Sequence, residues 1–149
     1  MEKGNLLLIE KVLLLKSISI FSDSPENILA EIAHLLQEVE TESETNLFKE
    51  GDIGNCMYII FRGSVRIHKG EQTLATLSDR EFFGDLSLLD TETRSATATT
   101  LSPCKLLKID QEPFFELLET QPEVARGVIR ILSKRLRALN EKLLEKRGG

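Results

Sequence analysis

The sequence predicts an α+β fold: an eight-stranded antiparallel β-barrel of the jelly-roll kind, flanked by N-terminal helices and by two C-terminal helices. Two observations carry that expectation. Apolar residues recur at helical spacing at both ends, while from about Val39 to Ile109 they fall into short alternating or apolar runs punctuated by glycine. The length of 149 residues fills one core well and hardly two, so residues 1–149 are expected to form a single domain.

Residues 5–37 read as helix, turn and helix. Leu7, Leu8, Val12 and Leu15 repeat at helical spacing, and "SDSPENILAEIAHLL" opens a second helix with Ser24 as N-cap and Pro25 at the first helical position. His34 falls in that helix, as a solvent-facing or hydrogen-bonded core residue. Residues 38–109 are assigned to the barrel. Gly51, Gly54, Gly63, Gly70 and Gly84 mark turns, and the strand-like runs "NCMYIIF", "SVRIH" and "TLATL" lie between them, with "RSATATTL" and "CKLLKI" following. Short strands at this spacing form a small antiparallel barrel or sandwich.

The helical period returns over residues 110–147. "QEPFFELLE" is a short helix, and Pro122 opens a long one reaching about Lys146. Along it Ala125, Ile129, Leu132, Leu136, Leu139 and Leu143 follow alternating steps of four and three, the pattern of a coiled-coil seam. The other faces carry Arg126, Arg130, Lys134, Arg135, Arg137 and Lys142. Such a stripe suits packing on the chain's own barrel or a homodimer interface equally well.

Composition excludes several classes of function. A net charge of −5 argues against a protein devoted to coating nucleic acid, because that binding rests on neutralising phosphates with Lys and Arg. The apolar run "NLLLIEKVLLLKSISIF" is broken by Glu10, Lys11 and Lys16 far short of the roughly 20 residues of a membrane span. It also lacks a small-residue cleavage pattern, so a cytoplasmic chain without a membrane span is expected. Cys56 and Cys104 lie in strand-like segments without C-x-x-C spacing and read as buried free thiols. His34 and His68 have no second ligand nearby, so no metal site is expected and a cupin-type metalloenzyme is disfavoured. Without a nucleophile and base at suggestive spacing, the chain reads as a non-enzyme.

The chemistry concentrates in "FGDLSLLDTETRSAT", Phe83 to Thr97. Gly84 permits a tight turn and close approach of backbone to a ligand. Asp85 to Leu89 can then make one helical turn, whose first N–H groups carry partial positive charge and favour an anion. Arg94, nine positions after Asp85, adds a permanently charged fork suited to phosphate oxygens. Alternation places Arg94, Ala96 and Ala98 on one face and Ser95, Thr97 and Thr99 on the other; the small Ala96 leaves room inside, and Ser95 offers a hydroxyl. One arginine and a few N–H donors match a singly charged phosphodiester, and neither G-x-x-x-x-G-K-[ST] nor G-x-G-x-x-G occurs. Asp85 beside a phosphate makes sense if it accepts a hydrogen bond from elsewhere on the ligand, a ribose hydroxyl being the natural donor. Taken singly, Asp85 as a helix cap and Arg94 paired with Asp90 or Glu92 are the plainer readings.

This stretch resembles the phosphate-binding cassette of cyclic nucleotide-binding domains, found in protein kinase A regulatory subunits, cyclic-nucleotide-gated channels and the bacterial catabolite activator. The family pattern is F-G-E-[LI]-[AS]-L followed by R-[AST]-A, and the resemblance extends over nearly the whole chain, with "YIIFRGSVRI" as the family's apolar hairpin. It implies that the N–H groups of Leu86 and Ser87, with Arg94 and Ser95, hold a cyclic phosphate. Asp85 stands where the family usually has the Glu that bonds the ribose 2′-hydroxyl, one methylene longer. Ser95 is the residue that the bacterial activator, which responds to cAMP, also has after its Arg, so cAMP is expected ahead of cGMP. The same comparison makes Asn140, and secondly Arg135, candidates to touch the base. The catabolite activator continues into a helix-turn-helix domain whereas this chain ends at "EKRGG", so no direct contact with DNA is expected from it. The resemblance implies a sensor that couples nucleotide binding to movement of the C-terminal helices as a lid, signalling to an effector or a second copy, with no cofactor beyond the ligand. The alternative is a degenerate barrel that serves as a ligand-independent interaction or dimerisation module.

Overall fold

Two helices lead the chain, α1 (Leu8–Lys16) and α2 (Glu26–Ala33), in a computed structural model that describes residues 5–148. Residues 1–4 and 149 of the expected domain lie outside the described residues. α1 turns Leu14 and Leu15 inward, with Leu6 and Val12 half-buried beside them, while Leu7, Leu8, Ile9 and Leu13 stay exposed. The buried face is therefore offset from the one that the spacing of Leu7, Leu8, Val12 and Leu15 predicts. α2 also starts a residue later than expected. Pro25 is its N-cap in extended conformation, its carbonyl accepting from the Ile28 and Leu29 N–H groups, and the Ser24 N–H closes a turn onto the Phe21 carbonyl instead. His34, at the C-cap, is exposed.

The β region holds β1 (Gln37–Thr41), β2 (Asn46–Phe48), β3 (Ile53–Gly54), β4 (Cys56–Arg62), β5 (Val65–Lys69), β6 (Gln72–Leu77), β7 (Phe82–Phe83), β8 (Glu92–Thr93), β9 (Thr97–Thr100) and β10 (Cys104–Asp110). Its helices are the one-turn α3 (Asp85–Leu89) within it, and α4 (Gln111–Thr120) and α5 (Pro122–Gly148) after it. The α+β class and antiparallel pairing are as expected, but the closed eight-stranded barrel is not. Among the described residues there are two four-stranded sheets, ordered β1-β10-β4-β7 and β2-β9-β5-β6, and a separate ribbon of β3 with β8. The two sheets share no hydrogen-bonded edge. The surplus strands are two-residue pieces, β3 and β8, too short to show an alternating pattern in sequence.

The buried run "CMYII" of β4 is explained by alternation across a strand covered on both faces. Met57 and Ile59, with Leu107 and Ile109 of β10, face a cluster built with Leu15, Ile18, Phe21, Leu29, Ile32, Phe114 and Val128 of the helical layer. Cys56, Tyr58 and Ile60, with Leu106, face the other sheet and meet its Val65 and Ala98, with Phe83 of their own sheet beside Tyr58. Both cysteines are free and buried. The interior between the sheets is thus where the residues next to the Phe83–Thr97 segment are held.

α5 packs on the body through Val124, Val128 and Ile131. Ile129, Leu136, Leu139 and Leu143 of the seam are 62, 61, 57 and 59% exposed, so the seam lies to one side of the contact with the body. From Leu136 to Arg147 every residue is exposed.

Candidate anion-binding site

Gly84, at φ +80°, opens α3 from the left-handed region, where a side chain would be strained. A Cβ there would also stand 2.7 Å from Arg94 Nη1 and 3.1 Å from the Cys56 carbonyl oxygen. The chain then makes a single turn. The Ser87 N–H bonds the Gly84 carbonyl at 3.1 Å, so of the two amides expected to face a phosphate, that of Ser87 is engaged within the turn. Ser87 is itself buried, and Leu86 is exposed at the mouth.

Arg94 follows the β3–β8 ribbon. Its own N–H bonds the Asp52 carbonyl at 2.7 Å and its carbonyl accepts from the Gly51 N–H at 2.9 Å, which fixes the backbone on both sides. Arg94, Ala96 and Ala98 point inward, at 5, 8 and 0% exposure, as the alternation predicts, although the regular strand begins only at Thr97. Arg94 Nη2 donates to the Cys56 carbonyl at 2.9 Å, with the Cys56 Sγ at 3.3 Å. Its Nε is buried without a hydrogen-bond partner among the described residues. A buried donor left unpaired is costly unless something accepts from it, which makes this group the centre of the candidate site.

A cavity of about 220 Å³ opens here, lined by Phe83, Gly84, Asp85, Leu86, Ser87, Arg94, Ser95 and Ala96 together with Phe48, Ile67, Glu92 and Thr93. Eight of the ten residues singled out in the sequence are therefore brought to one place. Arg135 approaches from α5: its Nη1 donates to Asp85 Oδ2 at 2.8 Å, and its guanidinium lies 6.0 Å from the Phe82 ring centroid. It meets the carboxylate expected to take a ribose hydroxyl. Asn140, the first candidate for the base, is outside the cavity lining and exposed. It sits about 7.5 Å further along the helix and roughly 140° around it from Arg135, by α-helical geometry.

Arg94 pairs with neither Asp90 nor Glu92; Glu92 lies exposed at the cavity rim. Behind the cavity, Phe48, Tyr58 and Phe83 form an aromatic cluster, with Tyr58 and Phe83 stacked at 5.4 Å. Burial pushes the Tyr58 hydroxyl up to about 12, reinforced by its neighbour Cys56 and opposed by Arg94. Gly54 was legible only as a turn: a Cβ on it would stand 2.5 Å from Arg94 Nε and 2.7 Å from Ser87 Oγ. Phe48 and Ile67 carry no local signal, since strand pairing alone brings them near Arg94. His68 is occupied structurally, within 2.7 Å of the Gly70 carbonyl and 2.8 Å of Thr99 Oγ1. No group of three or more His, Cys, Asp or Glu gathers as a metal site among the described residues, and none of their helices is long and apolar enough to cross a membrane.

Fold and site together define an α+β domain with a buried arginine lining a small cavity beside a one-turn helix. Residues 38–121 match the cyclic nucleotide-binding domain, and the chain belongs to that family. It is 29% identical over 131 residues to a CRP-like cAMP-activated global transcriptional regulator of Mycobacterium tuberculosis, covering 85% of this chain and 58% of that protein. It is 33% identical over 119 residues to the cyclic AMP receptor protein of Thermus thermophilus, covering 76% and 55%. The chain thus spans little more than half the length of these relatives. Among solved structures, it is similar to the N-terminal domain of a transcriptional regulator from Streptomyces coelicolor, with a TM-score of 0.82 and 31% identity over 87% of this chain and 94% of that one. The regulatory domain of Toxoplasma gondii protein kinase A with cAMP gives a TM-score of 0.70 and 29% identity over 78% and 46%. Besides such regulators, the matched relatives include Rap guanine nucleotide exchange factor 3 of Homo sapiens, 32% identical over 115 residues that make up 12% of that protein.

Proposed function

We propose that the chain is a non-enzymatic cyclic nucleotide sensor, cAMP ahead of cGMP, acting in the cytoplasm and coupling occupancy of the cavity to movement of α4 and α5. The observation that carries this reading is Arg94: a buried guanidinium with an unpartnered Nε beside a one-turn helix. Arg94, Ser95 and the Leu86 N–H would take the cyclic phosphate, and Asp85 a ribose hydroxyl. The preference for cAMP rests on Ser95 and on two comparisons: a cAMP-activated relative and a similar domain solved with cAMP. Coupling follows from the Asp85–Arg135 contact, because a hydroxyl arriving at that carboxylate changes what holds α5. A ligand shifts such an equilibrium only by preferring one arrangement, and this contact supplies the difference.

The test is calorimetric titration of purified, nucleotide-stripped protein with cAMP and then cGMP, alongside Arg94→Ala. Binding by the native protein, tighter for cAMP, should weaken by about 2–4 kcal/mol in the variant, the cost of removing one partner of a buried charge-assisted bond. If neither nucleotide binds, the sensor reading falls. The interaction-module reading then takes its place, favoured by the exposed Ile129, Leu136, Leu139 and Leu143 of α5.

A further inference from the structure

The manner in which Arg94 is held leads beyond its role as an anion ligand. A buried guanidinium usually rests against a carboxylate. Here, among the described residues, the Arg94 guanidinium lies over the face of Phe48, 4.0 Å from the ring centroid, and its polar contacts are the carbonyl oxygen and sulfur of Cys56. Gly54 and Gly84 close the cage: a Cβ on either would fall within 2.7 Å of a guanidinium nitrogen. Phe48 is fixed in turn by Tyr58 and Phe83, at 6.2 and 6.0 Å. The plane of the guanidinium is therefore set without a negative charge.

We infer that Phe48, assisted by Cys56, is a positioning residue that orients Arg94 while leaving its positive charge for the anion of the ligand, here taken as the cyclic phosphate of the proposed function. A carboxylate in that place would hold the fork as firmly and cancel its charge before the ligand arrived. A ring face attracts the cation through its quadrupole and removes no net charge, and a neutral carbonyl satisfies one N–H without competing as an anion. The arrangement suits a ligand with a single negative charge, which one uncompensated guanidinium can balance.

The inference is tested with the full chain in two ways, one of which needs no nucleotide. The ¹⁵N resonance of the Arg94 Nε–H, assigned by its loss in Arg94→Lys, reports in the ligand-free protein whether the guanidinium is held. Phe48→Met and Phe48→Leu remove the ring but keep an apolar side chain, and Phe48→Tyr restores the ring; thermal unfolding verifies that each is folded. Phe48→Met and Phe48→Leu should broaden or lose that resonance and weaken cAMP binding about tenfold, within the range of a desolvated cation–π contact. Phe48→Tyr should keep the resonance and recover most of the affinity. In an Arg94→Ala background, Phe48→Met should have no further effect on binding, because Phe48 acts through Arg94. A folded Phe48→Met with the native resonance, or an affinity loss that persists undiminished in the Arg94→Ala background, overturns the inference. Absence of cAMP and cGMP binding by the native protein would instead sink the proposed function, and the resonance of the ligand-free variants would still decide the role of Phe48.

Discussion

At the scale of single residues, the site is built as much by missing atoms as by present ones. Gly54 does not need its backbone freedom, since it is not in the left-handed region; it is needed because a Cβ would collide with Arg94 and Ser87. Gly54→Ala should therefore cost about 1–3 kcal/mol as overpacking and displace the guanidinium, lowering anion affinity together with the midpoint of thermal unfolding. Native-like affinity in a folded Gly54→Ala variant would show that Arg94 has more room than the geometry gives it. Tyr58 is the only tyrosine of the chain and there is no tryptophan, so its titration can be followed alone by phenolate absorbance. Its hydroxyl, raised from 10.0 to about 12 in the folded chain, stays protonated where the unfolded chain has released its proton. Stability should thus be undiminished below pH 10 and fall as pH rises from about 10 to about 12, by roughly 2–3 kcal/mol. Tyr58→Phe should lack this part of the alkaline loss, and equal slopes in native and variant would contradict it. What sequence could show at this scale was chemical type. Asp85, Arg94 and Ser95 read as groups suited to an anion and a hydroxyl, whereas Phe48 and Cys56 contact Arg94 through pairing that strands create across some forty residues.

At the scale of elements, the one-turn α3 and the long α5 meet through one ion pair, Asp85 with Arg135. Arg135 is 38% exposed, so the pair contributes no more than about 1 kcal/mol to stability. Under the proposed coupling, its importance is in placing α5. Arg135→Ala should leave the unfolding midpoint nearly unchanged while speeding amide exchange in the segment of α5 from residue 132 onward, measured by hydrogen–deuterium exchange. Unchanged exchange there would remove the contact from any account of coupling. A second link is Gln111 at the start of α4, whose Nε2 donates to the Ser87 carbonyl at 3.3 Å and whose Oε1 accepts from Thr91 at 2.8 Å. The long elements were legible because their apolar period persists for several turns or alternations. The β3–β8 ribbon was not, being two residues on each side, and the N-cap of α2 moved by one residue because Pro25 settled in an extended conformation.

At the scale of the whole molecule, the order of helices, strands and helices follows from a change of period that the sequence displays openly. The partition of strands into two sheets does not, because β1 with β10 and β2 with β9 pair residues fifty or more positions apart. The stripe on α5 was legible as a seam, and the structure divides it: Leu132 packs against the chain's own core, and the rest of the contact falls on the neighbouring face. Val124, Val128 and Ile131 take the contact with the body, and Leu136, Leu139 and Leu143 are left to solvent. Such a row of leucines favours association with a second copy. The native chain is expected to sediment as a dimer at micromolar concentration, and the Leu136→Glu/Leu139→Glu/Leu143→Glu variant as a folded monomer. A native monomer under the same conditions would assign the stripe to another partner.

The exposed end of α5, residues 136–147, is about 18 Å long at about 1.5 Å per residue, and it begins immediately after the residue that grips Asp85. Under the proposed function the helix would act as a lever with its fulcrum at Asp85. A tilt of about 10° at Arg135 sweeps the far end through about 3 Å over this length, enough to move a leucine out of register with whatever it meets. On the proposed coupling, an event no larger than the exchange of one hydrogen bond on one carboxylate would be delivered as a displacement of side-chain size at the far end of α5.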